Sequence, residues 1–118
     1  MKRIYGKLIR DRIPEIIAAQ GKAFSVSVLA EDAYRESLVA KLLEEANEVK
    51  GAMQGGDRDE IIKELADLSE VIDALLNALG ISEEEIRGRQ TKRREERGGF
   101  KEHLWLEWVE EPEPPDEK

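Results

Sequence analysis

The sequence contains no cysteine, and His103 is its one histidine in 118 residues. The absence of cysteine excludes disulfides, thiolate nucleophiles and cysteine-ligated zinc, and it leaves the redox compartment undecided. A His-rich metal site or a nucleophile–histidine pair would have to include His103, which we interpret as structural. Any catalysis is therefore expected to rest on carboxylates.

Aromatic residues and long apolar runs are also scarce. Aromatic residues make up 5% of the chain and charged residues 39%, a balance typical of amphipathic helices rather than of a β-sandwich or barrel. No apolar run has the length of a signal peptide or a membrane span, so we expect a soluble, cytoplasmic protein without a membrane partner. The net charge of -8 disfavours extended nucleic-acid binding but is compatible with small anions held through a metal.

The length of the chain predicts one domain, residues 1–109, with its own hydrophobic core. Residues 110–118 are acidic, rich in proline and without apolar side chains. Such a segment cannot offset the entropy lost on folding, so we expect a disordered tail.

Helical periodicity dominates residues 1–109 and predicts a mainly α-helical bundle of antiparallel helices. A short helix is expected from Pro14 to Gln20. Two long helices are expected next, one from about Asp32 to the Gly55-Gly56 pair and one from an Asp57 cap to Gly80. A last helix is expected to follow a Ser82 cap.

Two short segments alternate apolar and polar residues instead. Phe24, Val26 and Val28 alternate with serines, and residues 104–109 alternate near the end of the chain. Alternation is typical of half-buried strands, so we expect the two segments to pair as a small two-stranded β element. Trp105 and Trp108 belong to the second segment and are interpreted as core or interface residues rather than base-stacking ones.

The most informative residue is Glu64, because its position conflicts with its charge. Positions seven and eleven residues further along an α-helix project about 20° to either side of it, and these are Val71 and Leu75. Glu64 therefore points into the apolar stripe of its own helix. Burial of an unpaired carboxylate there would cost several kcal/mol, roughly, so a cation is expected beside it.

Further carboxylates lie near Glu64 in the predicted hairpin. Asp67 follows one turn later, and the preceding helix carries Glu44, Glu45 and Glu48. Antiparallel helices joined by a short turn lie side by side, so a carboxylate pair on each would face one shared volume. All-oxygen ligation suits Mg²⁺, or Mn²⁺ in its place.

Two other interpretations of these carboxylates stay open. The glutamates of the first long helix could form an ordinary solvated face together with Lys41. Glu64 could make a structural salt bridge with an arginine. In that case the chain could be a non-catalytic helical dimerisation module, which has no use for a carboxylate inside its apolar stripe.

The acidic motifs resemble those of a known enzyme family. Glu44-Glu45-Ala46-Asn47-Glu48 and Glu64-Leu65-Ala66-Asp67 resemble the EExxE and ExxD motifs of the all-alpha, MazG-like nucleoside triphosphate pyrophosphatases. Residues 7–17, KLIRDRIPEII, and residues 97–100, RGGF, resemble the opening and closing segments of a single-domain branch of predicted house-cleaning enzymes. The resemblance covers roughly residues 4 to 109.

The resemblance implies a function and a set of site residues. It implies hydrolysis of a nucleoside triphosphate to monophosphate and pyrophosphate, in the clearance of noncanonical nucleotides or as in phosphoribosyl-ATP pyrophosphohydrolases. The implied Mg²⁺ ligands are Glu45, Glu48, Glu64 and Asp67, with Glu44 as a helper. Family members commonly form dimers, so a homo-oligomer is expected. No position matches a base-reading motif, and substrate identity stays open.

Basic residues are expected around the site because a triphosphate carries more negative charge than the metal neutralises. Lys7 and Arg10, just before the first helix, are candidates for phosphate contacts. Salt bridges of Arg10 or Arg12 with nearby acids are the alternative. A second group of candidates lies on the last helix, where favourable charge at a helix C-terminus is the alternative; it comprises Lys92, Arg93 and Arg97.

Overall fold

The regular structure in the described part of this protein consists of four helices. The computed structural model describes residues 1–114, and these contain no β-strand. The helices are α1 (Ile13–Ala19), α2 (Glu31–Gly55), α3 (Arg58–Leu79) and α4 (Glu83–Arg97). The chain divides into two compact units, one of Met1–Glu83 and one that begins at Glu84. The mainly helical prediction is confirmed.

The ends of α2 and α3 follow from their capping residues. Gly56, with φ of 74°, ends α2, and Gly80, with φ of 67°, ends α3. This left-handed conformation strains residues with a Cβ, which is why glycine commonly ends helices. Asp57 caps α3, since its side chain accepts a hydrogen bond from the Asp59 backbone N–H at 3.1 Å. The turn between the two helices therefore lies where the sequence predicts it.

Helices α2 and α3 pack against each other as an antiparallel hairpin. Near the start of α2, Arg35 donates a hydrogen bond of 3.0 Å to the Ala78 carbonyl oxygen near the end of α3. The buried apolar residues of the described chain are Leu38 on α2 and Val71 on α3, with 2% and 8% of their surface exposed. The core of the hairpin is therefore small.

The predicted two-stranded β element is wrong for the described residues. The segments at residues 24–28 and 104–109 have extended sequence patterns but no strand. Val28 is 99% exposed and Trp105 is 87% exposed, so neither segment has the buried face that alternation predicts. A strand is stabilised by ladder hydrogen bonds and by side chains packed on one face. Alternation alone supplies neither.

The ends of the chain differ in how far they match the sequence analysis. Helix α1 begins with Pro14 in its first turn, as predicted. Residues 110–114 of the predicted disordered tail have neither helix nor strand, and residues 115–118 lie outside the described part. Among the described residues, we find no helix long and apolar enough to cross a membrane.

Candidate functional site

Three carboxylates converge on the inner side of the α2–α3 hairpin. Glu45, Glu64 and Asp67 each place one carboxylate oxygen within 4.8 Å of those of the other two. We call this group the carboxylate trio. Glu45 comes from α2 and the other two come from successive turns of α3, which places them on one helix face. The convergence predicted from the i, i+3 spacing on α3 is therefore present.

Glu64 is the most enclosed member of the trio. Only 8% of its surface is exposed, in the same class as the core residue Val71. The prediction that Glu64 points into the apolar stripe is thus confirmed. Its oxygen lies 3.4 Å from the Nζ of Lys63, a neighbour whose side chain is mostly in solvent. The hydrogen bond that Lys63 donates to the Glu64 carboxylate raises the pKa of Lys63.

Within the trio, Glu45 is the carboxyl group whose surroundings most clearly oppose its ionisation. Burial raises its pKa, and the negative charges of Asp67, Glu44 and Glu64 add to that effect. Lys41, with its Nζ 3.9 Å from the Glu45 carboxylate, acts in the opposite direction but does not outweigh them. The trio therefore holds more negative charge than its surroundings stabilise.

Glu44 lies on the same turn of α2 but has a different environment. Its carboxylate is 3.3 Å from the Nζ of Lys41 and 3.5 Å from the Nζ of Lys7. Burial opposes its charge, yet hydrogen bonds and attraction from the two lysines hold its pKa below the usual value. Glu44 is therefore a stably ionised group at the border of the trio.

Arg10 links the N-terminal segment to the trio. Its Nη2 donates a hydrogen bond of 2.7 Å to Asp67. Arg12 instead pairs with Glu15, in the first turn of α1. The salt-bridge alternative for these two arginines is therefore present in the structure. Arg10 nonetheless lies next to the trio, as expected for a residue that contacts phosphate there.

Other predicted site residues lie outside the trio. Glu48 follows Glu45 by one turn and is exposed, so its assignment as a metal ligand stays a prediction. The three basic residues predicted on the last helix are exposed on α4, whose later part belongs to the second unit. Lys92 pairs there with Glu96 at 4.0 Å; Arg93 and Arg97 complete that group.

Lys41 is the site residue that the sequence analysis missed. It appears there only in the alternative interpretation of a solvated face, but only 17% of its side chain is exposed and it contacts both Glu44 and Glu45. The available signal was its position three residues after Leu38, which places it on the next turn of the same helix face. A lysine there cannot reach solvent freely.

The donor set fits a hard divalent cation. Oxygens that bind one Mg²⁺ lie about 3 to 4 Å apart, so side-chain shifts of roughly 1 Å would bring the trio to ligand positions. The trio contains only carboxylate oxygens, which Mg²⁺ and Mn²⁺ prefer over nitrogen or sulfur. Burial and then the neighbouring carboxylates raise the pKa of Glu45, and a bound cation would offset both effects by stabilising the ionised form.

Comparison with known proteins adds a family match. The family model of phosphoribosyl-ATP pyrophosphohydrolase matches residues 7–94, a range that holds every predicted site residue except Arg97. An uncharacterized protein of Mycolicibacterium smegmatis (strain ATCC 700084 / mc(2)155) is 46% identical over 46 residues, which are 39% of this chain and 47% of that protein. The chain thus spans about half the length of this curated relative. No solved structure matches the chain.

The charge balance of the trio predicts how Glu45→Gln changes stability with pH. The variant should raise the free energy of unfolding of the metal-free protein at pH 7, because it removes a charge that burial and three carboxylates oppose. The wild-type carboxyl has a folded pKa above the unfolded value of 4.5. Its stabilising contribution is therefore present below pH 4.5 and is lost as the pH rises through the folded pKa. The difference between the two proteins should narrow toward pH 4.

Urea unfolding in the presence of a chelator at pH 7 and pH 4 measures this difference. Glu70→Gln is the matched control, since Glu70 is an exposed carboxylate on α3, and it should change stability by no more than about 0.5 kcal/mol. A Glu45→Gln protein that is less stable than wild type at pH 7 would contradict the assigned charge balance.

Proposed function

This chain belongs to the phosphoribosyl-ATP pyrophosphohydrolase family, within the all-alpha MazG-like superfamily, and from that premise we propose that it is a Mg²⁺-dependent nucleoside triphosphate pyrophosphohydrolase. Water would add to the α-phosphorus, and the bond to the β-phosphate oxygen would break. The products are a nucleoside monophosphate and pyrophosphate. The observation that supports this proposal most strongly is the convergence of three carboxylate oxygens, one from a buried residue, within 4.8 Å.

The residues of the trio would hold the metal. Mg²⁺ bound there would neutralise phosphate charge and lower the pKa of a bound water. Glu64 and Asp67 project from a rigid helix, and Glu45 faces them from its neighbour, so the ligands are positioned before substrate arrives. Glu48, exposed one turn from Glu45, is proposed as a fourth ligand. Mn²⁺ would satisfy the same oxygen ligands.

The phosphate chain would be stabilised by basic residues at the border of the trio. Lys7 and Arg10 already contact Glu44 and Asp67, so both ammonium and guanidinium groups lie beside the expected metal position. Charge-assisted hydrogen bonds to phosphate oxygens are roughly twice as strong as neutral ones. We propose these two residues as phosphate contacts; the contacts expected from Lys92, Arg93 and Arg97 of α4 stay a prediction.

Two substrate classes are candidates for this site. Clearance of noncanonical nucleoside triphosphates is the first, as the resemblance to the single-domain branch implies. Phosphoribosyl-ATP is the second, and the observation that favours it is the description of the matching family. Both are nucleotides with a triphosphate chain, and hydrolysis of either one releases pyrophosphate. The same metal centre would serve either one.

A non-catalytic helical module is the competing interpretation, and Glu64 counts against it. Such a module gains nothing from a carboxylate that is 8% exposed between its two main helices. Among the described residues, Glu64 pairs with Lys63 and not with the arginine that this interpretation expects. A bound cation would compensate the buried charge of Glu64.

Self-association is the second part of the proposal, and it rests on an exposed apolar face of α2. Val39, Leu43 and Met53 are 47%, 64% and 61% exposed. They follow one another at a spacing of four and then ten residues, which keeps them on one side of the helix. Relative to the inner residue Leu38, this side is rotated by roughly 100°.

Helix α3 has a matching exposed face. Its residues recur at heptad-like spacing and are each between 42% and 51% exposed; they are Ile62, Leu65, Ile72 and Leu79. This face is also rotated about the helix axis by roughly 100° from the inner residue Val71, in the sense in which the helix winds from N- to C-terminus. Because α2 and α3 are antiparallel, equal rotations bring both faces to the same side of the hairpin. Together they form one apolar face, which we call the heptad face.

We propose that a second copy of this chain covers the heptad face. Among the described residues only two apolar side chains, Leu38 and Val71, are buried. A second copy on the heptad face would supply the apolar burial that one hairpin lacks. Two antiparallel hairpins packed face to face form a four-helix bundle.

The first test of the proposed activity is the product pattern. Noncanonical, standard and deoxy- triphosphates, and phosphoribosyl-ATP, are incubated with the chain and Mg²⁺, and pyrophosphate and orthophosphate are measured separately. We expect pyrophosphate and monophosphate from at least one substrate and no activity in a chelator. Orthophosphate released directly from the triphosphate would mean attack at the γ-phosphorus and would contradict the mechanism.

Glu64→Gln tests the metal centre because it keeps the shape of the side chain and removes its charge. Mg²⁺ should raise the melting temperature of the wild type by mass action and should raise that of the variant much less. Turnover should fall at least about 100-fold, since metal effects contribute several kcal/mol to the barrier. The chain should still fold.

The control for this variant is Glu70→Gln, the same change at an exposed carboxylate of α3. It should keep both turnover and the response to Mg²⁺. A Glu64→Gln protein that is about 3 to 5 kcal/mol less stable without metal, and that keeps a wild-type response to Mg²⁺, would instead indicate a buried ion pair.

Ile72→Glu tests the heptad face by placing a charge in its middle. Sedimentation of the wild type should give a dimer or higher oligomer, and its melting temperature should rise with protein concentration. The variant should sediment as a monomer or lose its cooperative melting, because a desolvated carboxylate is costly in an interface. Ile16→Glu is the control, since Ile16 on α1 is 49% exposed and lies outside the face. A monomeric wild type would reject the second copy.

A further inference from the structure

A small basic pocket lies beside the carboxylate trio. Its volume is about 110 Å³. Residues 6–8 of the N-terminal segment line one side, and four residues of α2 line the other: Ser37, Ala40, Lys41 and Glu44. Pockets that take whole drug-sized ligands measure about 300 Å³ or more. This pocket is therefore of a size for one small group rather than for a nucleoside.

The polar groups of the pocket favour an anion. The ammonium groups of Lys7 and Lys41 both lie within 3.5 Å of the single carboxylate of Glu44. Both ammonium groups therefore lie at the pocket, and Ser37, whose side chain carries a hydroxyl, also lines it. Lys41 is held in place, because only 17% of its side chain is exposed. A phosphate group would satisfy both lysines and the hydroxyl.

Lys41 also connects the pocket to the trio. Its Nζ lies 3.9 Å from Glu45 and 3.3 Å from Glu44, so the basic groups of the pocket adjoin the carboxylates of the trio. A ligand that complements both the trio and the pocket is an anionic chain. A cation bound to this chain would lie at the trio, and an anionic group at the end of the chain would enter the pocket. A polyphosphate bound to a divalent cation has this distribution of charge.

We propose that this pocket is the subsite for the terminal phosphate of the substrate, and therefore for the leaving pyrophosphate, with Lys41, Lys7 and Ser37 as its contacts. The inference rests on the proposed function for the identity of the substrate. The nucleoside end is too large for the pocket, so the terminal end of the phosphate chain enters it. Glu44 occupies the two lysines in the ligand-free protein and is displaced by the incoming phosphate.

The test is direct binding of inorganic pyrophosphate and of adenosine 5′-monophosphate, measured by calorimetry on the full chain with Mg²⁺ present throughout. Lys41→Met keeps the aliphatic stem of the side chain and removes its charge. It should weaken pyrophosphate binding about tenfold or more, the loss expected for hydrogen bonds to a charged group, and should leave monophosphate binding within about twofold. Lys50→Met, at an exposed lysine of the same helix, should leave both affinities unchanged.

Each outcome decides between the subsite and its alternatives. Equal pyrophosphate affinity in wild type and Lys41→Met would overturn the subsite, as would a wild type that binds no pyrophosphate. Equal loss of both ligands would show that Lys41 supports the whole site and would also overturn it. If Lys41→Met does not fold, Ser37→Ala and Lys7→Met apply the same comparison. Pyrophosphate binding needs no turnover, so a chain that hydrolyses no substrate but loses pyrophosphate binding through Lys41 rejects the activity and keeps the subsite.

Discussion

The burial of the Glu64 carboxylate between α2 and α3 constrains the rest of the structure. A residue at this position of the hairpin would ordinarily be apolar, as Leu38 and Val71 are further along the same interface. A carboxylate there cannot be left without a compensating charge, because its desolvation costs several kcal/mol, roughly. Apolar packing therefore cannot extend along the whole hairpin. One stretch of the interface contributes hydrophobic stabilisation, and the other consists of charges that must be balanced.

Each carboxylate of the trio has one cation beside it. The pairs are Glu45 with Lys41 at 3.9 Å, Glu64 with Lys63 at 3.4 Å and Asp67 with Arg10 at 2.7 Å. Lys41 does not fully compensate Glu45, whose pKa is raised by burial and then by the neighbouring carboxylates, whereas the two lysines beside Glu44 lower its pKa. A divalent cation at the centre would take over the role of the outer cations. These would then be available to an anionic substrate, as general electrostatic stabilisation requires.

The parts of the fold that depend on local chemistry could be predicted from the sequence. Gly56, Asp57 and Gly80 fix the ends of the two long helices, and the 3.6-residue period alone places Glu64 on the inner face. The parts of the fold that depend on packing between distant segments could not be predicted. Residues 24–28 alternate as a strand does, yet alternation does not show which segment would cover the apolar side. Lys41 was missed for a related reason: the period within α2 places it one turn after Leu38, but it does not show that residues 6–8 lie at the same pocket.

The same reasoning explains why binding should dominate the stability of this chain. A domain is ordinarily stable by about 5 to 15 kcal/mol, a small difference between large terms. Here the described chain buries only Leu38 and Val71 among its apolar residues and also buries Glu64, so the favourable term within one chain is small. A ligand at 100 times its dissociation constant adds about 2.7 kcal/mol, and coverage of an apolar face adds hydrophobic burial. For α3, which carries two of the proposed metal ligands on one side and half of the heptad face on another, both contributions would act on the same helix.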